Sequence, residues 1–87
     1  MDGSQYHGEF LDGLPHGMGI QYDLIGTVYS GEWIKGLKEG EGVLDFGDGT
    51  SYQGKFIGGL AVEGIYDWGD GKYTDSYQNE NGEWLDK

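Results

Sequence analysis

Tyr29-Ser30-Gly31-Glu32-Trp33 decides how this chain folds, because the same Tyr-x-Gly-x-aromatic pentad occurs 23 residues earlier, as Tyr6-His7-Gly8-Glu9-Phe10, and 23 residues later, as Tyr52-Gln53-Gly54-Lys55-Phe56. Each pentad is followed by a Gly-Leu pair, at Gly13-Leu14, Gly36-Leu37 and Gly59-Leu60. A copy this short holds one small supersecondary unit that cannot bury its own apolar side. Successive copies must therefore stack into an elongated array.

Inside each pentad the aromatics and the central glycine alternate with other residues, which is the period of a strand. Tyr6, Gly8 and Phe10 face one way, as do Tyr29, Gly31, Trp33 and Tyr52, Gly54, Phe56. The opposite parity is polar at His7/Ser30/Gln53 and charged at Glu9/Glu32/Lys55. It ends on an aliphatic ladder, Leu11/Ile34/Ile57. A second strand follows the Gly-Leu pair, beginning near Gly17-Met18-Gly19-Ile20, Gly40-Glu41-Gly42-Val43 and Glu63-Gly64-Ile65, so each copy reads as a hairpin. Asp48-Gly49 and Asp70-Gly71 carry turn chemistry that admits positive φ and connect one hairpin to the next. Asp23-Leu24-Ile25-Gly26 takes that place in the first copy. The fold class that follows is all-β, an elongated single-layer antiparallel sheet of consecutive β-hairpins.

The pattern divides the chain into a lead-in over 1–5, an array over 6–73 with copies at 6–28, 29–51 and 52–73, and a tail over 74–87. The third copy is one residue shorter, with five steps from Gly59 to Gly64 where the second has six from Gly36 to Gly42. The tail loses the pentad and is expected to serve as a cap or as a strand that depends on a partner, since terminal units of stacked arrays are atypical.

A glycine between two aromatics in a strand needs a reason, because glycine interiors weaken strands. The expectation is that each bare position forms a slot filled by a ring from the adjacent copy. On the other face, Leu11/Ile34/Ile57 beside Ile20/Val43/Ile65 form an apolar stripe. Either that stripe receives a partner, or the sheet curls until these side chains shield one another. Glu32 falls in the polar column, where Glu32→Gln is expected to change stability little.

The chain has 87 residues, 19 of them glycine, and no cysteine. It is one small domain below the size at which a core easily outweighs chain entropy, so outside support is expected. Without cysteine there is no disulfide framework and no thiolate metal site. Sixteen acids against five lysines give a net charge of −11, which argues against nucleic acid and anionic membranes and for basic or apolar partners. No apolar run reaches the roughly 20 residues that span a bilayer. Met1 leads straight into polar residues, so the expectation is a cytoplasmic protein.

Catalytic and metal chemistry find no foothold. Asp67 to Glu80 lacks the ligand spacing of an EF-hand loop. Gly17-x-Gly19 and Gly40-x-Gly42 lack the third glycine of a dinucleotide fingerprint. His7 and His16 have no further ligands for zinc, and a thin sheet offers no enclosed cleft for a nucleophile and its base. No cofactor and no enzyme activity are expected.

Tyr-x-Gly-x-(Phe/Trp)-x-x-Gly with a later Gly-x-Gly resembles the MORN repeat (membrane occupation and recognition nexus) over residues 6 to 73. The resemblance implies a curved single-layer sheet of hairpins that holds a partner's helix or extended segment along a groove. The third copy is similar to the closing repeat of short ciliary and sperm-flagellar members, which implies a component of an axonemal or other cytoskeletal assembly. The family's link to acidic phospholipids implies the alternative of a peripheral membrane or lipid-recognition module. The basic residues often seen after the Gly-Leu position are here Pro15-His16, Lys38-Glu39 and Ala61-Val62. Some family members carry the repeats beside an enzyme domain, which implies a third reading, a regulatory fragment of a larger enzyme.

Overall fold

The computed structural model describes residues 4–86. Met1 to Gly3 of the lead-in and Lys87 of the tail lie outside the described residues. Eight strands run in chain order, β1 (Gln5–Leu11), β2 (Leu14–Tyr22), β3 (Val28–Ile34), β4 (Leu37–Asp45), β5 (Ser51–Ile57), β6 (Leu60–Asp67), β7 (Tyr73–Gln78) and β8 (Trp84–Asp86). They form one open antiparallel sheet in which each strand pairs with its neighbours in sequence. Among the described residues there is no helix, and the molecule measures 39 × 22 × 21 Å. The all-β single layer of hairpins is the fold that the pentad spacing dictates.

Two kinds of turn alternate along the sheet. Hairpins close at Asp12-Gly13, Lys35-Gly36 and Gly58-Gly59, where both residues of each pair have positive φ. That is the two-residue turn whose twist matches the strands it joins, and it starts the second strands at Leu14, Leu37 and Leu60. Each later turn is tied to the preceding hairpin, since the Gly36 N–H donates to the Pro15 carbonyl at 2.9 Å and the Gly59 N–H to the Lys38 carbonyl at 3.0 Å. Between hairpins the chain makes five-residue loops closed by an acid or amide side chain. Asp23 Oδ1 accepts from the N–H groups of Ile25 and Thr27, and Asp48 and Asp70 accept from those of Thr50 and Lys72.

Glycines 8, 19, 31, 42, 54 and 64 lie in register across β1 to β6 and form one straight row. The ring above each pair comes from the same hairpin, not from the adjacent one as the alternation suggested. Tyr29 lies over Gly31 and Gly42, and its hydroxyl donates to the Glu32 carbonyl at 2.9 Å. Tyr6 does the same over Gly8 and Gly19, bonding the Glu9 carbonyl at 2.7 Å. A side chain leaning along its own strand covers the residue two positions on. The adjacent copy instead supplies the ring that wedges between tyrosines. Trp33 stands 5.1 Å from Tyr29 and 5.3 Å from Tyr6, while Phe56 stands 5.4 Å from Tyr52 and 5.0 Å from Tyr29, all edge-to-face. Tyr29, Trp33, Tyr52 and Phe56, with Leu44 and Ala61, are the buried core, and Tyr6 packs against it. A single layer thus builds its interior on one face from an aromatic ladder lying on bare backbone.

The hairpins of the first two copies are interrupted by a bulge that the pattern did not reveal. Opposite Glu9 stand three residues, His16, Gly17 and Met18, and opposite Glu32 stand Glu39, Gly40 and Glu41. The extra backbone turns through Gly17 (φ 86°) and Gly40 (φ 68°), and the carboxylate across the strand holds it. Glu9 Oε1 accepts from the Met18 N–H at 2.8 Å, and Glu32 Oε2 from the Glu41 N–H at 2.6 Å. In the third copy only Val62 is extra, the bulge itself holds no positive-φ glycine, and Lys55 replaces the glutamate. The missing residue of that copy is the bulge glycine. Glu32 is therefore a clamp as well as a surface charge. Glu32→Ala is expected to cost about 1 kcal/mol, and Glu32→Gln less because the amide oxygen still accepts. Lys55→Ala should sit near zero in the same urea titrations. Equal midpoints for Glu32→Ala and Lys55→Ala would contradict the clamp.

Past the third copy, β7 pairs with β6 and β8 pairs with β7. The loop between them copies the first connection, with Asn79 Oδ1 accepting from Asn81 and Glu83 and the Asn79 N–H donating to the Glu83 carbonyl. Trp84 then stands 5.0 Å from Tyr52, 5.8 Å from Phe46 and 5.7 Å from Tyr66. It occupies the place against Tyr52 that Phe56 holds against Tyr29.

Candidate protein-docking face

The face opposite the aromatic ladder is built by the other half of every strand, and the register sorts its residues into rows. One row reads His7, Ile20, Ser30, Val43, Gln53, Ile65 and Asp75 from β1 to β7. Ile20 is half-buried, while Val43 and Ile65 are 37% and 48% exposed. The aliphatic ladder lies in another row, at the hairpin tips, where Leu11, Ile34 and Ile57 pair with Leu14, Leu37 and Leu60. Leu11, Ile34 and Ile57 are all exposed.

Between these rows runs a third, containing Glu9, Met18, Glu32, Glu41, Lys55 and Glu63. The six candidate docking residues thus lie in two rows with a mainly acidic row between them, and Ile20, Val43 and Ile65 alternate with polar residues in theirs, so they do not form one continuous stripe. Alternation along the strand already sets Glu9, Glu32 and Lys55 beside the aliphatic ladder, and the register shows that Ile20, Val43 and Ile65 fall beyond them, opposite His7, Ser30 and Gln53. On the far side of the Ile20 row, Asp45 and Asp67 alternate with Tyr22, Val28, Ser51 and Tyr73.

This open face is furrowed. A cleft of about 260 Å³ lies at the two bulges, lined by Met18 and Ile34 together with Glu9, Glu32 and Glu39. A second, of about 390 Å³, lies over β4 to β7 between Glu41, Gln53, Ile65, Asp67 and Tyr73. Both clefts combine aliphatic side chains, Met18 and Ile34 in the first and Ile65 in the second, with carboxylates. Carboxylates raise the local concentration of cations there, and exposed aliphatics favour whatever removes them from water.

The aromatic face is chemically different. Tyr29, Trp33, Tyr52 and Phe56 are consumed by contacts within the sheet. Burial, helped by the nearby Glu32 charge, pushes the Tyr29 hydroxyl up to about 12, and burial likewise raises Tyr52. Lys38 reaches over the Tyr29 ring, 5.6 Å from its centroid, where burial lowers its ammonium below the usual lysine range. The two tyrosines stay neutral through the physiological range and hold the fold. No group of three or more His, Cys, Asp or Glu side chains able to hold a metal occurs among the described residues.

Sequence reasoning missed Met18 and Glu39, which line the first cleft, and Tyr73, which lines the second. The signal available was the positive-φ glycine expected of a strand bulge, repeated at Gly17 and Gly40 with a glutamate at the same place in the pentad. The sequence profile of the MORN repeat matches residues 6–26, 29–51 and 52–73. That profile describes a non-enzymatic repeat that serves as a protein and membrane interaction module. A comparison with curated proteins finds no match.

Proposed function

We propose that this chain, which belongs to the MORN-repeat family, is a non-catalytic scaffold that docks a basic amphipathic helix or extended segment of a partner protein along its open face. The observation that carries the reading is the row holding half-buried Ile20 and exposed Val43 and Ile65, with Glu9, Glu32, Glu41 and Glu63 along one side and Asp45 and Asp67 on the other. A helix laid along the 39 Å axis would need roughly 25 residues at 1.5 Å each, with apolar anchors facing the sheet and lysines or arginines on its flanks. Charge would speed the encounter, and apolar burial would set how long it lasts.

The test is titration of a synthetic Lys/Leu amphipathic helix, followed by fluorescence anisotropy, against the native chain and the Val43→Asp and Ile65→Asp variants. Each substitution is expected to weaken binding about tenfold, since it places a buried charge against apolar anchors. It should leave the melting temperature within a few degrees, because these positions contribute little to the aromatic core. Binding equal to the native chain in both variants would contradict the proposed face. Raising salt from 0.05 to 0.5 M should weaken native binding, as screening of exposed charges requires.

Co-sedimentation with vesicles of anionic lipid at physiological salt addresses the lipid-recognition reading. The acidic face predicts no retention. Placement within a ciliary axonemal or other cytoskeletal assembly is supported by the resemblance of the third copy alone. A tagged chain followed in ciliated cells tests it.

A further inference from the structure

We propose that the outer edge of β1 pairs with β1 of a second copy, antiparallel and with Gly8 at the two-fold axis. The sheet has two end strands, and they differ. β8 has three residues, which blunts its edge, whereas β1 has seven and carries no proline and no lysine, the usual devices that protect an edge. Among the described residues no strand pairs with the outer side of β1.

The aromatic ladder is also unfinished at that end. Trp33 and Phe56 each sit between the tyrosine of their own copy and that of the preceding one. Phe10 has only Tyr6, at 4.9 Å, and is 60% exposed. It needs a second tyrosine from beyond the edge.

The strand is self-complementary in one register. With Gly8 opposite Gly8 of the second copy, Tyr6 faces Phe10 and Phe10 faces Tyr6 on the aromatic side. On the open side His7 faces Glu9 and Glu9 faces His7. The glycine row continues unbroken across the axis. The backbone agrees, because a two-residue hairpin points the N–H and C=O of Leu11 toward β2. Alternation then points those of Phe10, Gly8 and Tyr6 outward. These three residues of each copy would exchange about six main-chain hydrogen bonds. The two aromatic pairs and two His–Glu pairs supply specificity, while the small contact and the −11 charge of each copy keep the association weak. Of the docking face only its edge residues His7 and Glu9 take part, and Ile20, Val43 and Ile65 stay clear of the seam.

Sedimentation velocity of the full chain at 0.15 M salt, from about 10 µM to about 1 mM, tests the pairing at the weak end of protein association. The expected result is a concentration-dependent rise from the mass of one copy toward that of two. Phe10→Pro removes an outward N–H and an aromatic while sparing the β1–β2 bonds, and is expected to raise the dissociation constant at least tenfold. Phe10→Lys keeps the N–H and the fold and should do likewise, and His7→Glu, which opposes two carboxylates, should weaken pairing about threefold. A single-copy mass throughout the range would overturn the proposal. So would dimers of native strength in Phe10→Lys with an unchanged melting curve.

Discussion

Gly31→Val is expected to abolish the folded state, leaving no cooperative melt by circular dichroism at any temperature above freezing. A Cβ built at Gly31 would stand 2.5 Å from the Gly42 Cα, 2.6 Å from the Glu41 carbonyl oxygen and 2.8 Å from the Tyr29 hydroxyl. Two of those neighbours are backbone of the paired strand, which cannot withdraw without breaking the β3–β4 ladder. The third is the hydroxyl of a ring held by its bond to the Glu32 carbonyl and by Trp33 and Phe56. Overpacking of an ordinary core costs about 1–3 kcal/mol. Here strand, ring and ladder would all have to move. A domain of this size holds on the order of 5–10 kcal/mol in total, so the loss of one ladder pair and one buried tyrosine exhausts it. Ser30→Val, on the exposed side of the same strand, is expected to melt within a few degrees of the native chain. Similar melting of Gly31→Val and Ser30→Val would remove the glycine row from the account.

Trp84→Ala is expected to lower stability by about 2–3 kcal/mol, below the 3–5 kcal/mol of a fully buried aromatic because one side of the indole faces solvent. Its ring closes the ladder against Tyr52, Phe46 and Tyr66. Without it the Tyr52 ring, which is fully buried, would meet water along one side. The three residues of β8 would have no apolar reason to stay paired. Leu85→Ala, one residue on and on the open face, is expected to cost under about 0.5 kcal/mol. A midpoint shift for Trp84→Ala no larger than that for Leu85→Ala would show that β8 does not close the core.

The part of this fold legible in the sequence is the part that repeats. Tyr-x-Gly-x-aromatic at a constant spacing specifies strand parity, hairpin order and which face holds the rings, since all three follow from a period of two and a turn at Gly-Leu. It does not specify whose ring covers which glycine. A tyrosine two residues before a glycine and one from the next copy fit the alternation equally, and only side-chain lean along the strand separates them. The length difference between the interval after Gly36-Leu37 and that after Gly59-Leu60 was visible. Its meaning, a bulge clamped by glutamate in two copies and absent where Lys55 stands, needed the register.

The pairing register explains why the candidate docking residues separated into rows. Alternation shows Glu9, Glu32 and Lys55 beside Leu11, Ile34 and Ile57, but counting cannot show that Ile20, Val43 and Ile65 pair beyond that line. Trp84 gave no signal because β7 ends at Gln78, on the aromatic side, and so shifts the parity of the last strand relative to the copies before it.

The most direct test of the docking account is a map of amide and methyl chemical-shift changes as the Lys/Leu helix is titrated into isotope-labelled native chain. The account predicts that the largest changes fall on Met18, Ile20, Val43, Ile65 and Tyr73, with Tyr29, Trp33 and Phe56 nearly unmoved. Changes concentrated on the aromatic ladder, or none at saturating peptide, would contradict it.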